Sequence, residues 1–206
     1  MSTGRVLPLG QGEVEQAAAV LARAFDADPL TIYLFPDKVE RARKAPLMFT
    51  TLARYDYLFG QVDKLEGFGA IATWLTPEHG AETPQRLSEA GFDQLPDQIG
   101  SSPLDRLDAF YAVVEEGHRR AVPERHWYLR LLGVEPTQQG RGIGSTLLQH
   151  GLSRADANGD ACFLETFQER NIPFYLHHGF ALVIDTVEPT SGIRVWGFLR
   201  RQVNKR

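Results

Sequence analysis

Three glycines at alternating positions, Gly140, Gly142 and Gly144, lie between a predicted strand and a predicted helix. Because glycine has no side chain, a ligand can approach the backbone amides of such a segment closely. The first turn of the following helix adds unpaired N–H groups and the positive end of the helix dipole. Arg141 adds a positive charge beside them. These features predict a binding site for a phosphate or pyrophosphate group.

Two other nucleotide-binding motifs fit the glycine segment less well. A P-loop ends in Gly-Lys-Ser/Thr, and this segment has no lysine. In the dinucleotide fingerprint, counted from Gly140, the third glycine position is Ser145, although Glu165 stands where a ribose-binding acid would be expected. Residues 136–139 also separate the strand from the glycines. We therefore favour the pattern Gln/Arg-x-x-Gly-x-Gly/Ala, which begins here at Gln139.

A second segment with chemical potential follows the predicted helix. Residues 163–166 predict a buried strand, and Asn171, Tyr175 and the pair at 179–180 come after it. Together with the pattern at Gln139, this arrangement resembles the GNAT acetyltransferase superfamily. The resemblance implies that acetyl-CoA is the co-substrate, that Asn171 contacts the pantetheine arm or orders its loop, and that Tyr175 protonates the departing CoA thiolate.

The spacing between Asn171 and Tyr175 is shorter than is common in the superfamily. This spacing is similar to that in members of the puromycin N-acetyltransferase type. The chain also resembles those members at residues 74–78. By this resemblance, residues of both segments are expected to contact the co-substrate: Leu132, Gly133, Val134, Gln139, Gly140, Arg141, Gly142, Ile143, Gly144, Ser145, Asn171 and Tyr175.

Acyl transfer from a thioester to an amine requires a proton donor for the leaving group. The thiolate is protonated as it leaves, and the carbonyl oxygen is stabilised as it becomes negative. Tyrosine titrates near about 10 and a thiol near about 8.5, so a hydrogen-bonded Tyr175 can donate this proton. The alternative role for Tyr175 is that of a core aromatic on a short helix.

The same reaction requires a base that removes a proton from the amine. Glu165 ends a buried strand, and burial raises the pKa of a carboxylate, which makes it a better base. The resemblance favours Glu165 in this role; an ion pair with Arg170 is the structural alternative. Glu78 is a second candidate base, and His126 could line the acceptor cleft. We expect no metal site, because the histidines lack ligand spacing.

Charge and hydropathy exclude some classes of partner. The formal net charge is −4 without a basic block, which argues against nucleic acid. No apolar run reaches the length of a membrane span, and the first residues do not form a leader pattern. One cysteine, Cys162, allows no internal disulfide and fits a reducing compartment. We therefore expect a cytoplasmic protein that has no membrane partner; a homodimer stays open.

Hydrophobic periodicity predicts a regular C-terminal half. Strands are expected at 126–134, 161–165, 181–187 and 193–199, with helices at 142–157 and 172–178. The first half predicts helices at 13–25, 39–59 and 103–120, a loop at 26–38, strands at 61–66 and 68–75, and an insertion at 78–102 with one short helix. The order predicts an α/β (α+β) fold in one domain over 1–206. By resemblance this is the GNAT fold, with a mixed, mostly antiparallel sheet splayed at strands 4 and 5 and helices on both faces.

These features predict an N-acetyltransferase. It would transfer the acetyl group of acetyl-CoA to the primary amine of a small molecule by direct attack in a ternary complex. A protein N-terminal or lysine acetyltransferase is the alternative within enzymes, and a non-catalytic acyl-CoA-binding sensor is the alternative outside them. The sequence does not identify the amine, and puromycin is not assumed to be a substrate.

Overall fold

A seven-stranded sheet forms the centre of the computed structural model, which describes residues 4–79 and 82–202. The strands follow the order β1-β2-β3-β4-β5-β7-β6, and every neighbouring pair is antiparallel except β4 and β5, which are parallel. The expected mixed, mostly antiparallel sheet is confirmed. The strands are β1 (Val6–Pro8), β2 (Gln61–Leu65), β3 (Ala70–Leu75), β4 (His126–Val134), β5 (Ala161–Thr166), β6 (Ala181–Val187) and β7 (Arg194–Arg200).

Eight α-helices cover this sheet. They are α1 (Val14–Ala24), α2 (Pro29–Leu34), α3 (Lys38–Phe59), α4 (Pro84–Ala90), α5 (Leu95–Ile99), α6 (Ser101–Ala121), α7 (Ile143–Asn158) and α8 (Ile172–His177) within the described residues. Alternation along β3 separates two cores: Ile71 packs with α1 and α3, whereas Ala72 and Trp74 pack with α7. Helices therefore lie on both faces, as expected.

The sheet opens between β4 and β5. These two strands pair only from His126 to Tyr128 on β4, opposite Ala161 to Phe163 on β5. Beyond Tyr128, β4 continues against β3, while β5 continues against β7. A register shift between Thr73 and Trp74 of β3 leaves Arg130 as an extra residue on β4, and such a bulge bends a strand locally. The predicted splay is thus present, and it creates space between the two strands.

Several element predictions need correction. Strand β1 was not predicted, and the loop expected at 26–38 contains α2, whose first turn has Pro29 at a favoured position after the capping residue Asp28. The insertion at 78–102 holds α5 as well as the predicted α4. Helix α3 agrees with the helix predicted at 39–59 and continues through Pro46. The domain prediction also includes residues 1–3, 80–81 and 203–206, which lie outside the described residues.

Candidate active site

A cavity of about 470 Å³ lies where β4 and β5 separate. Its walls come from α2, α3, α6, α8 and the two splayed strands. Much of the lining is apolar or aromatic, including Phe25, Leu34, Phe49, Phe92, Leu107 and Tyr111. The predicted site residues Leu132, Glu165, Asn171 and Tyr175 line the same cavity. The fold therefore brings together the two candidate catalytic residues and three of the candidate co-substrate contacts, with Tyr175 belonging to both groups.

Glu165 is a buried carboxylate on β5, with a side chain that is only 4% exposed. Burial raises its pKa to about 8, the Glu115 charge adds to this, and the Tyr128 hydroxyl partly offsets it. Among the described residues, no lysine or arginine forms an ion pair with Glu165; the charge of Arg170 acts on Asp28 instead. The alternative ion pair between Glu165 and Arg170 is therefore not formed.

Tyr175 belongs both to the core and to the cavity wall. Its ring packs against Phe174, Phe180 and Phe198 at centroid distances of 5.1, 5.9 and 5.6 Å. Burial raises the pKa of its hydroxyl, and the charge of Asp28 raises it further. The hydroxyl thus holds its proton at neutral pH, as a proton donor must. The two roles considered for this residue are compatible, since the aromatic packing fixes the ring that borders the cavity.

The connection between β5 and α8 is held by side-chain hydrogen bonds. Asn171 Nδ2 donates to Thr166 Oγ1 at 3.0 Å. Gln168 Nε2 donates to Asp28 Oδ2 at 2.9 Å, and Asp28 Oδ1 accepts from the backbone N–H of Leu30 at 3.0 Å. Asn171 therefore orders the loop that leads to Tyr175, one of the two roles expected for it.

The glycine segment forms the beginning of α7. Gly140 and Gly142 have φ of 74° and 78°, and a Cβ added to either would meet nothing within 4 Å. Gly142 is the N-cap of α7 and supplies no side-chain acceptor. The N–H groups of the first turn of α7 consequently lack intrahelical partners. Open space and free donors at one place fit a bound anion.

Contacts connect this turn to the rest of the site. A Cβ on Gly144 would lie 3.4 Å from Val134 Cγ2 and 3.7 Å from Phe174 Cζ, so α7 begins close to β4 and to the helix of Tyr175. His178 Nε2 lies 3.0 Å from Ser145 Oγ. These two side chains line a second, shallower groove on the outer side of α7.

Two predicted co-substrate contacts have structural roles in this region. A Cβ on Gly133 would lie 2.9 Å from Leu21 Cδ2, so this glycine permits the close packing of α1 against β4. Gln139 Nε2 donates to the carbonyl oxygen of Val134 at 3.2 Å, which closes the turn between β4 and α7.

A buried ion pair holds one of the lining residues of the cavity, Arg130. Arg130 Nη1 lies 2.9 Å from Asp56 Oδ1, and the Asp56 side chain is fully buried. The Arg130 guanidinium also lies 5.4 Å from the centre of the Tyr55 ring. The charges of Asp56 and Glu82 raise the pKa of Arg130 against the effect of burial. Arg130 is thus a fixed cation in the wall of the cavity.

The second candidate base, Glu78, and the candidate cleft residue, His126, do not line the cavity. Glu78 is 62% exposed in its side chain and forms an ion pair with Arg125, which lowers its pKa. His126 is not part of the lining; its neighbour His118, on α6, is. The charged run at 115–120 is typical of a solvated helix face. The spacing of Tyr111, Val114 and His118 nevertheless places these three residues on one helical stripe, which is the sequence signal for His118.

No group of three or more His, Cys, Asp or Glu side chains that could hold a metal ion occurs in the described ranges.

Cys162 is buried, and burial raises the pKa of its thiol to about 12. None of the helices that the structure describes is long and apolar enough to cross a membrane.

Comparison with known proteins agrees with this geometry. Residues 70–180, more than half of the chain, match the Acetyltransferase (GNAT) family. An uncharacterized N-acetyltransferase of Schizosaccharomyces pombe is 26% identical over 174 residues, which cover 82% of this chain and 70% of that protein.

Solved structures share the fold. A histone acetyltransferase HPA2 and related acetyltransferase from Corynebacterium glutamicum has a TM-score of 0.71 and 21% identity, with 98% of each chain covered. Drosophila melanogaster polyamine N-acetyltransferase, which forms N-acetylagmatine, has a TM-score of 0.62 and 18% identity, with 96% of this chain and 99% of that chain covered. The chain belongs to the GNAT family of acetyltransferases, acyltransferases that use acetyl-CoA as co-substrate.

Proposed function

We propose that this protein transfers the acetyl group of acetyl-CoA to the primary amine of a small molecule, by direct attack within a ternary complex. The observation that supports this most strongly is the shared cavity of Glu165 and Tyr175. One group has a pKa near neutrality and the other retains its proton. Two titratable groups whose environments separate their roles in this way are suited to act as base and acid.

The beginning of α7 fits the pyrophosphate of acetyl-CoA. The positive φ values of Gly140 and Gly142 and the open space above them leave room for phosphate oxygens, and Arg141 adds a charge. The beginning of α7 lies beside Val134 of β4 and Phe174 of α8, so an arm that runs from this turn into the space between β4 and β5 would approach Glu165. Backbone groups of Leu132 and Val134, on the side of β4 that β5 has left, would accept the pantetheine arm.

In this proposal each side chain has one task in the transfer. Glu165 accepts a proton from the amine as its nitrogen attacks the thioester carbonyl. Tyr175 donates its hydroxyl proton to the thiolate as the carbon–sulfur bond breaks. The buried surroundings of Tyr175 also raise the pKa of a thiolate leaving beside it, which favours that proton transfer. Asn171 keeps the loop before α8 in place.

The cavity favours a small acceptor over a protein chain. Its volume of about 470 Å³ suits a compact molecule, and its apolar and aromatic lining would bury an organic group beside the reacting amine. The structural neighbours include enzymes for polyamines and agmatine. We also propose that the segment with Asn171 and Tyr175 is of the puromycin N-acetyltransferase type. This proposal does not extend to the substrate.

A screen for free CoA tests this function. Purified protein is incubated with acetyl-CoA and aminonucleosides, amino acids, polyamines or peptides, and thiol release is followed over time. Release with a small amine and an acetylated product of matching mass supports the proposal. Release with peptides alone would favour a protein acetyltransferase. Tight binding of acetyl-CoA without release from any amine would favour an acyl-CoA sensor and contradict the proposal.

A further inference from the structure

Two histidines continue from Glu165 towards the surface in a chain of polar contacts. His118 Nδ1, on α6, lies 3.7 Å from Glu165 Oε1. His118 Nε2 lies 2.9 Å from His126 Nε2, and His126 Nδ1 lies 2.7 Å from the carbonyl oxygen of Glu124. Of the two rings, only His118 lines the cavity.

When both rings are neutral, the far end of this chain fixes which nitrogen of each ring carries the hydrogen. A backbone carbonyl only accepts hydrogen bonds, so His126 Nδ1 must donate to Glu124 and carry the hydrogen. In neutral His126 the Nε2 atom is then an acceptor, and His118 Nε2 must be the donor. The remaining nitrogen of neutral His118, Nδ1, therefore directs a lone pair towards Glu165.

Aromatic packing holds His118 in this orientation. Its ring stacks on Phe163 with a centroid distance of 3.9 Å and an interplanar angle of 20°. Tyr128 packs on it at 5.3 Å. Burial and the neighbouring His126 lower the pKa of His118 to about 4, so the ring is neutral in the resting protein. A lone pair facing Glu165 is favourable when that carboxyl carries a proton.

We propose that His118 and His126 form a proton relay that moves protons between Glu165 and solvent, an inference that rests on the proposed function. Glu165 is the catalytic residue that touches the amine. His118 and His126 act through Glu165, because they remove the proton from a carboxyl group that solvent scarcely reaches. The gap of 3.7 Å closes by a small rotation of the carboxyl group or through one water molecule.

The proton balance of this relay is simple. The carboxyl O–H of Glu165 breaks as a bond forms at His118 Nδ1, and the N–H at His118 Nε2 breaks as a bond forms at His126 Nε2. His126 becomes an imidazolium and releases its Nδ1 proton to water. Glu165 is left as a carboxylate that accepts the proton of the attacking amine. Proton exchange with water then restores the resting tautomers, because each ring regains a proton on the nitrogen that gave one up and loses the proton that it received. The net change is one proton from amine to solvent.

Other charged groups face the relay from each neighbouring element. Arg119 lies beside His118 on α6 and lowers its pKa. Tyr128 on β4 and Glu115 on α6 act on Glu165 with opposite effects. Tyr111 on α6 is coupled to Glu165 through its charge. These groups tune the pH at which the relay operates, so each variant is compared with the wild type over a full pH profile.

The test compares His126→Gln and His118→Phe with a control, His177→Gln, whose exposed ring lies outside the relay. Phenylalanine preserves an aromatic stack on Phe163 and removes both nitrogens. We expect kcat/KM at neutral pH to fall about tenfold or more in both relay variants, with partial recovery at high pH or with added imidazole. Acetyl-CoA affinity and melting temperature should stay near those of the wild type.

Because His126 does not line the cavity, an altered pH profile in His126→Gln must act through His118. Profiles that match the wild type in both relay variants would overturn the relay while acetyl transfer itself stands. If the wild type releases no CoA with any amine, the proposed function fails instead. Nitrogen-15 NMR then tests the relay alone: we expect a neutral His118 with its hydrogen on Nε2, and a hydrogen on Nδ1 or an imidazolium at neutral pH would overturn it.

Discussion

Glu165 and Tyr175 border the same cavity from consecutive elements, Glu165 from the end of β5 and Tyr175 from α8. Burial acts on both, but with different results for chemistry. It brings the carboxyl pKa to about 8, close to neutral pH, and it moves the hydroxyl pKa further from neutrality. A carboxyl suited to act as the proposed base thus lies in one cavity with a hydroxyl suited to act as the proposed acid.

Replacement of Glu165 by glutamine removes the proposed base and preserves the shape of its side chain. We expect kcat/KM to fall by roughly 10²-fold or more, as for loss of general base catalysis. In the wild type, activity should rise with pH through about 8, since Glu165 must be deprotonated to act. The mutant should recover part of its activity at high pH, where more amine is already neutral. A stable mutant with an unaltered pH–rate profile would remove Glu165 from the mechanism.

The same substitution should change how stability depends on pH. A carboxyl whose pKa is raised from 4.5 to about 8 binds more protons in the folded state, so its contribution to stability is full at low pH and is lost as pH rises through this window. Urea unfolding at about pH 5 and about pH 8 measures this slope. Glu165→Gln should gain stability relative to the wild type at the higher pH. If the free energies of unfolding of Glu165→Gln and the wild type differ by the same amount at both pH values, the raised pKa of Glu165 is contradicted.

Replacement of Tyr175 by phenylalanine deletes one hydroxyl and keeps the aromatic packing with Phe174, Phe180 and Phe198. We expect kcat to fall by about 10²-fold, within the range of a positioned acid, while acetyl-CoA affinity hardly changes. Tyr57→Phe serves as the control, because Tyr57 packs against the core on the α3 side and does not line the cavity. Wild-type turnover in Tyr175→Phe would show that Tyr175 only packs.

A matched pair of glycine substitutions tests the pyrophosphate site. Gly142 and Gly159 lie at opposite ends of α7 with φ of 78° and 74°, so alanine strains the backbone at both positions by about 1–2 kcal/mol. Only Gly142→Ala adds a methyl group where the phosphate is proposed to bind. We expect acetyl-CoA affinity, measured by calorimetry, to fall about tenfold in Gly142→Ala and to persist in Gly159→Ala. Equal losses of acetyl-CoA affinity in the two variants would indicate that backbone strain alone is responsible.

Local patterns were sufficient to predict most elements of the C-terminal half. The glycine turn, the helix after it and the buried strand before Glu165 each have a strong sequence signal, and the structure has them almost at the predicted bounds. The short helix α2 was missed because its six residues give too little periodicity, although Asp28 followed by Pro29 is a recognisable helix start. Strand β1 is only three residues long and is paired by a distant segment.

The surroundings of the candidate base could not be predicted in the same way. His118 meets Glu165 only because the end of α6 packs against Tyr128 of β4 and Phe163 of β5, a tertiary relationship without a local signal. The burial that raises the pKa of Glu165 likewise depends on α6 and β4 together. A single sequence identifies a carboxylate at the end of a strand, but the partners that set its proton affinity come from distant parts of the chain.

The most direct measurement of the central claim follows both products of one reaction. Wild-type protein, acetyl-CoA and the best amine from the screen are mixed, and free CoA and N-acetylated amine are quantified together by mass spectrometry. We predict that the two products appear in equal amounts and that Glu165→Gln and Tyr175→Phe slow both equally. Free CoA without acetylated amine would indicate thioester hydrolysis. Bound acetyl-CoA that stays intact with every amine would contradict acetyl transfer by this protein.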